Sequence, residues 1–258
     1  MVDFTDKIRL LPDGIKALIG TIGEEADALK MKAFLVGGFV RDLELKRTNL
    51  DLDIAVEGDG ICLAERLKKK IGGRIATYER FGTATLFEKE VRIDIATARK
   101  EIYKEPAALP QVSFSTLKED LKRRDFTINA MALSINKKTF GCFIDLFEGL
   151  EDIKEQKIRV LHDKSFRDDP TRIFRAIRFE QRLGFRIEEH TEKLIREAAI
   201  LKMVEKTEKR RIREEFVLIF KEVSKEKALL RIEELYGSVF MGLDPAKKRT
   251  SGYREKYS

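Results

Sequence analysis

Residues 34–58, FLVGGFVRDLELKRTNLDLDIAVEG, constrain the fold more than any other part of the chain. The apolar run KAFLV (32–36) reads as a short strand, and LDLDIAV (50–56) alternates strictly with period two. Between them, Gly37-Gly38 opens into Arg41-Asp42. On a strand, residues i and i+2 share a face, so Asp51 and Asp53 point together while Leu52 and Ile54 turn the other way. Two like charges at that separation are costly unless a cation sits between them. One reading is a pair of exposed acids on an edge strand. The other is a divalent metal site, for which hard carboxylate oxygens suit Mg2+. Two such ions would activate an attacking hydroxyl and steady a leaving pyrophosphate. VRIDIATAR offers Asp94 on a further period-two strand, a third carboxylate if that strand lies beside the first and a solvent-facing acid if it does not. Glycines between strand and helix let backbone N–H groups approach a phosphate. Joined to Arg41 and the DxD strand, they make a nucleoside triphosphate with Mg2+ the most economical ligand.

The pattern changes once, near residue 150. Before it, GICLAERLKKKIG (60–72) has helical spacing, and RIATY, TATLFE and VRIDIATA read as successive strands. TLKEDLKRR and DFTINAMALSI read as a helical pair, and FGCFIDLF returns to strand. After about residue 164 nothing strand-like is expected. DPTRIFRAIRFEQRLGF, EEHTEKLIREAAI, TEKRRIREEFVLIFKEVS and KEKALLRIEELY all carry helical periodicity. The expected organisation is an α/β head at 1–150, a helical extension at 151–236 and a polar, basic, mobile tail at 237–258.

The net charge of +7 suits a polyanionic partner. Residues 201–258 hold 15 Lys+Arg against 10 Asp+Glu, leaving only +2 for the other 200 residues, so the C-terminal quarter is expected to contribute to any basic face. Cys62 and Cys142 are far apart and without CxxC spacing, which supports neither a disulfide framework nor a zinc site. His162 and His190 are isolated. No apolar segment approaches membrane-spanning length and the N-terminus lacks a signal-peptide pattern, so a cytoplasmic protein without membrane association is expected.

LVGGFVRD, LDLDIAVEG, LKRRDFTINAMAL and RDDPTRIFRAIRF, in this order and spacing, resemble the class II tRNA nucleotidyltransferase and bacterial poly(A) polymerase family. EKRRIREEF (208–216) resembles the family's next helical motif, so the resemblance runs over about 33–220. It implies an α+β fold: a polymerase-β-like nucleotidyltransferase head with a mixed β-sheet, followed by an all-helical neck. It implies that Asp51 and Asp53 are catalytic metal ligands, with Asp94 a helper, and that Gly37, Gly38 and Arg41 contact the nucleotide. Arg124, Asp125 and Asn129 match the motif that holds its sugar and phosphates; a basic helix start capped by Asp125 is the plainer reading of that segment.

Asp169, Arg172, Arg175 and Arg178 are spaced by three on one expected helix, which an i,i+3 ion-pair ladder would explain. Asp168-Asp169-Pro170 also suits a helix start. The resemblance instead implies that Asp169 and Arg172 form an amino-acid template for the base, supported by Arg175 and Arg178. Cytosine and adenine present an amine donor beside a ring-nitrogen acceptor, matching an Asp acceptor beside an Arg donor. Guanine and uracil reverse that pattern and would leave buried groups unpaired, costing roughly 1–3 kcal/mol each.

The implied activity is addition of C and/or A to the 3′ end of tRNA from CTP or ATP with Mg2+, releasing pyrophosphate. A poly(A) polymerase or a partial, A-adding or CC-adding, enzyme is the alternative. A non-catalytic RNA-binding module and a small-molecule nucleotidyltransferase are more distant ones. Two departures stand out. Asp168 replaces the usual Glu, and the family normally continues well past residue 258. The chain is therefore expected to be a truncated form, a specialised short enzyme, or one completed by a homo-oligomer or a partner chain. KEIYKEPAALPQVSFSTLKED falls in a region linked to the switch from C to A addition.

Overall fold

The computed structural model describes residues 4–47 and 51–237. Two helices, α1 (Thr5–Arg9) and α2 (Asp13–Ala28), lead into β1 (Lys32–Val36), α3 (Gly38–Glu44), β2 (Asp51–Glu57) and α4 (Gly60–Ile71). Three strands follow, β3 (Arg74–Tyr78), β4 (Thr83–Glu88) and β5 (Val91–Thr97). A hairpin of β6 (Arg99–Ile102) and β7 (Gln111–Phe114) then precedes α5 (Leu117–Lys122). The head is completed by β8 (Met131–Ser134), β9 (Phe143–Asp145) and α6 (Gly149–Lys154). Beyond it lie β10 (Lys157–Ile158), α7 (Ser165–Asp168), α8 (Thr171–Leu183), β11 (Arg186–Ile187), α9 (Glu189–Ile200), α10 (Lys209–Lys221) and α11 (Lys225–Tyr236).

Seven strands form one mixed sheet in the order β3-β4-β5-β2-β1-β8-β9. β2 and β5 run parallel, with Asp53 opposite Asp94, and the other neighbours are antiparallel. The period-two reading of β2 holds: Leu52, Ile54 and Val56 are buried in the main core with Ile93 and Ile95 of β5. Each such side chain contributes about 1.5–3 kcal/mol by leaving water. Helix α4 seals that face through Leu63, Ala64 and Leu67. Its start is fixed by Asp59, whose carboxylate accepts from the Cys62 N–H. A second, smaller apolar cluster joins Phe34, Val36, Ala55, Ala130 and Ala132 to Leu117 and Leu121 of α5 on the opposite face.

The main core continues without a break into the helical part, from Phe4 to Tyr236. There α8 packs against α10 and α11, and α9 against α11. Glu188 caps α9 by accepting from the backbone N–H groups of His190 and Thr191. Gly184, at φ 72°, ends α8 in the left-handed conformation that favours glycine.

Three expectations need correction. DFTINAMALSI is not helical. Thr127–Asn129 makes one 3-10 turn, and Met131–Ser134 is the inner strand β8 between β1 and β9. All four β8 residues are buried, so the alternation that identifies a half-exposed strand is missing. The segment after residue 98 holds the β6–β7 hairpin, for which no strand was expected. Strand structure also persists past residue 164, since β11 pairs in parallel with β10; two residues are too few to leave a periodic trace. The expected mobile tail lies, beyond Gly237, outside the described residues.

Helix α2 rests against β8's exit through a bare backbone contact. A Cβ on Gly23 would stand 2.0 Å from the Ile135 carbonyl oxygen, whereas one on Gly20 would meet nothing within 4 Å. Gly23→Val should lower the unfolding midpoint by several degrees, and Gly20→Ala should hold or raise stability by about 0.5–1 kcal/mol. Thermal unfolding followed by circular dichroism checks both.

Candidate active site

The site is assembled at the centre of the sheet. β1 ends at Gly37, whose φ of 68° is a conformation that L side chains seldom adopt. A Cβ there would lie 2.8 Å from Arg124 Nη1 and 3.3 Å from Asp53 Oδ2, so the glycine lets the turn, the arginine and the carboxylate converge. Gly38 starts α3. From that short helix, Arg41 points into the protein, where its Nε and Nη2 donate to Asp42 Oδ1 (2.9 and 2.8 Å) and its Nη1 to Asn129 Oδ1 (2.7 Å). Asn129 Nδ2 donates in turn to Asp125 Oδ1 at 3.0 Å. Arg175 of α8 closes the chain with Nε and Nη2 donating to Asp125 Oδ2 (2.9 and 2.5 Å). Asp125 therefore does not cap a helix. It joins the glycine-turn helix, the 3-10 turn and α8.

Asp51, Asp53 and Asp94 share one face of the sheet, since Asp53 and Asp94 are register partners and Asp51 is two residues along. Burial pushes the Asp53 carboxyl up to about 6; Arg124 opposes that shift, and Asp94 and Asp51 add to it. Asp94 is held by Thr85, whose hydroxyl donates at 2.6 Å, and by Arg92 at 2.9 Å. Among the described residues no three His, Cys, Asp or Glu side chains stand as a ready-made metal cluster. The donor chemistry nonetheless fits a hard divalent cation. Asp51 and Asp53 offer carboxylate oxygens on one face, and the desolvated Asp53 would gain from a positive neighbour.

The four residues spaced by three do not form a ladder. Asp169 precedes α8 in an extended conformation (φ −138°, ψ 93°). Its Oδ1 accepts from the Thr171 N–H (3.1 Å) and hydroxyl (2.6 Å) and pairs with Arg211 of α10 at 2.8 Å. Arg172 donates through Nη1 to Ser165 Oγ (2.8 Å) and through Nη2 to the Arg123 carbonyl (2.6 Å). Asp169 and Arg172 are thus held by separate partners rather than by each other. Arg178 faces Glu215 and Glu222, both at 3.7 Å, and burial lowers its guanidinium pKa. Arg41, Arg175 and Arg178 surround the Phe179 ring at 5.2, 5.7 and 5.0 Å from its centroid.

One cavity of about 880 Å³ unites these groups. All thirteen residues singled out from the sequence line it: Gly37, Gly38, Arg41, Asp51, Asp53, Asp94, Arg124, Asp125, Asn129, Asp169, Arg172, Arg175 and Arg178. It is also lined by residues that sequence reasoning passed over, including Glu101, Tyr103, Arg123, Phe179, Arg211 and Glu215. Glu101 accepts from Arg99, Arg123 and the Tyr103 hydroxyl and so ties the β6–β7 hairpin to the wall. Arg211 and Glu215 had one available signal, an i,i+4 spacing on the face of α10 that meets α8. Tyr103 and Glu101 lie in a segment with no periodic pattern. Among the described residues, four buried atoms of the lining have no internal hydrogen-bond partner: Arg124 Nε, Arg211 Nη1, and Arg178 Nε and Glu215 Oε2, which face each other at 3.7 Å. Groups of that kind suit a polar ligand.

Asp125 supplies a test of the architecture. Desolvation raises its pKa, but the guanidinium of Arg175 and the hydrogen bonds around it prevail and hold it well below the usual carboxylate range. A depressed carboxylate contributes stability above its unfolded-state pKa and loses it as pH falls toward the folded one. Asp125→Asn should cost about 3 kcal/mol at neutral pH and flatten the acid limb of the stability profile below about pH 4, as measured by denaturant titration across pH.

Comparison with known proteins places this geometry. Residues 33–159 match the model described as the poly A polymerase head domain. The A-adding tRNA nucleotidyltransferase of Geobacter sulfurreducens is 47% identical over 228 residues, 88% of this chain but 26% of that protein. The structure described as CCA-adding enzyme apo form II superposes with a TM-score of 0.87 at 46% identity, covering 92% of this chain and 56% of that one. The Thermotoga maritima CCA-adding enzyme complexed with tRNA gives 0.81 at 44%, with 92% and 54% covered. The chain thus spans about a quarter of the first relative and about half of the solved enzymes. Residues 33–159 thus form a poly A polymerase head domain on a mixed sheet, and with the helical neck that follows, the chain is similar to the CCA- and A-adding tRNA nucleotidyltransferases.

Proposed function

We propose that the chain transfers A and/or C from ATP or CTP to the 3′ end of tRNA, releasing pyrophosphate. The observation that carries the reading is the convergence, in one cavity, of the Asp51–Asp53 face with the Gly37 turn, Arg124 and the pair Asp169 and Arg172. Asp51 and Asp53 would hold Mg2+, with Asp94 at their side. When bound, it would lower the pKa of the attacking 3′-hydroxyl and offset charge on the leaving pyrophosphate. Gly37 and Gly38 offer close backbone approach to the triphosphate, Arg124 supplies charge beside them, and Arg41 and Asn129 brace the turn from within. Asp125 orients Arg175, which with Arg178 supports the base-reading end.

Base choice falls to Asp169 and Arg172. Among the described residues, the hydrogen bonds from Thr171 and the ion pair with Arg211 all use Oδ1, which leaves Oδ2 to accept from an exocyclic amine. The same roles fit an A-adding or CC-adding enzyme, and the similarity to the Geobacter protein favours the A-adding alternative over a poly(A) polymerase. The head at 1–150 and the neck at 151–236, a cytoplasmic setting, and association with a second copy or a partner chain belong to the same proposal.

Labelled ATP or CTP with tRNAs lacking CCA, ending in CC, or complete will test it. Incorporation onto an incomplete end supports the reading, and none with any of the three overturns it. Asp53→Ala should cut incorporation by about a thousand-fold or more, several kcal/mol of transition-state stabilisation, while its unfolding midpoint stays at or above that of the parent. Asp169→Asn should narrow the preference for ATP and CTP over GTP and UTP by roughly 5- to 100-fold, read as kcat/KM ratios.

A further inference from the structure

Residues directly opposite on neighbouring strands project to the same face of a sheet. Asp53 is opposite Asp94, Asp94 opposite Thr85, and Thr85 opposite Ala76; one row along, Asp51, Arg92, Phe87 and Arg74 are aligned. A third row runs from Ala55 through Ala96 and Thr83 to Tyr78. The carboxylates therefore stand at the inner margin of a platform that crosses β5 and β4 to the edge strand β3. With strands about 4.8 Å apart, the far edge is roughly 14 Å from β2. The reverse face is buried under α4; on this one α5 covers Ala55, and the platform opens toward β4 and β3, where Phe87 is 42% exposed and Tyr78 55%.

Direction matters here. The nucleotide-binding groups lie on the other side of β2, at the end of β1, ahead of β8 and on α8. In-line displacement at a phosphate requires the attacking oxygen to approach opposite the leaving group. The acceptor must then arrive from the side of β5, β4 and β3. On this face β3 and β4 carry Arg74, Ala76, Tyr78, Thr83, Thr85 and Phe87, two aromatic rings and a cation with no acid and no large aliphatic side chain. Arg74 makes no ion pair among the described residues, and Arg92 stands beside Phe87. Exposed rings beside guanidinium groups bind single-stranded nucleic acid by stacking its bases and meeting its phosphates.

We propose that the open face of β3–β4–β5 holds the single-stranded 3′ end of the acceptor RNA, with bases stacked on Phe87 and Tyr78 and phosphates at Arg74 and Arg92. The identity of the RNA rests on the nucleotidyltransfer reading; the surface does not use any group assigned to the nucleotide or to the metal except through the shared face.

The test uses Phe87→Ala, Tyr78→Ala and the double variant, whose exposed positions leave the core intact. Binding of a short fluorescein-labelled single-stranded RNA ending in CC is followed by anisotropy at fixed salt, with a duplex of the same composition beside it. Each single variant should weaken single-strand binding about five-fold or more, raise the KM for the RNA end alike, and leave the KM for ATP unchanged. Phe87→Trp should restore binding, because stacking is retained. Unchanged single-strand affinity in the double variant overturns the proposal, as does an equal loss for the duplex, which would mark a general charge effect. Loss of self-association with RNA binding intact would assign the face to a second copy of the chain and overturn it too. Should the parent protein incorporate nucleotide while the double variant keeps its RNA affinity, the platform fails and the transferase reading stands; should the parent neither bind RNA nor incorporate, both fail.

Discussion

One buried carboxylate holds the two halves of the site in register. Asp125 accepts from its neighbour's N–H, from Asn129 and, through two bonds, from Arg175. Asn129 passes the linkage on to Arg41, and thus to the helix that follows the glycine turn. In a low-dielectric interior such charge-assisted bonds are stronger than in water, and losing any one of them leaves a buried charge exposed to the others. The head's turn and the first long neck helix are consequently positioned as one unit, and the continuous apolar core from Phe4 to Tyr236 reinforces the arrangement. Asp169 and Arg172 can face the same cavity as Asp53 only because α8 is fixed in this way.

The cavity is densely charged yet balanced: among the described residues, nine arginines and nine carboxylates line it. Under the proposed function, a triphosphate would be held by the separation of charges within the cavity, not by net charge. The carboxylates of β2 and β5 gather at one end, while Arg172, Arg175 and Arg178 extend along α8 toward the other. A net formal balance also explains why the chain's overall +7 was a poor guide to this site. That surplus resides mostly after residue 200.

How far the sequence revealed this depends on where each signal resides. β2 and β5 alternate because one face is core and the other is cavity, so Asp51, Asp53 and Asp94 were visible as strand acids. Their adjacency was not, because the parallel pairing spans α4, β3 and β4, and nothing local encodes a register across forty residues. β8 was misread because burial on both faces erases the alternation. Asp169 was assigned to a helix on the strength of its spacing to Arg172, yet a residue before proline is driven away from helical angles, and here it turns back to Thr171 and Arg211. Glu101 and Tyr103 stayed unseen because a short hairpin with mixed polarity carries no period at all.

The same alternation explains how an unfavourable group persists at the centre of the site. Asp53 is largely desolvated and lies beside two like charges, so its charged form destabilises the fold. Its neighbours on the strand, Leu52 and Ile54, are wholly buried on the opposite face, and each offsets about 1.5–3 kcal/mol. A strand anchored on one side by apolar burial can tolerate electrostatic cost on the other. Moving the register by a single residue would bury the carboxylates and expose the aliphatics, so the hydrophobic pattern that secures β2 is also what aims its acids into the cavity. Stability and chemistry are therefore assigned to alternate residues of one strand, and neither can slide without the other.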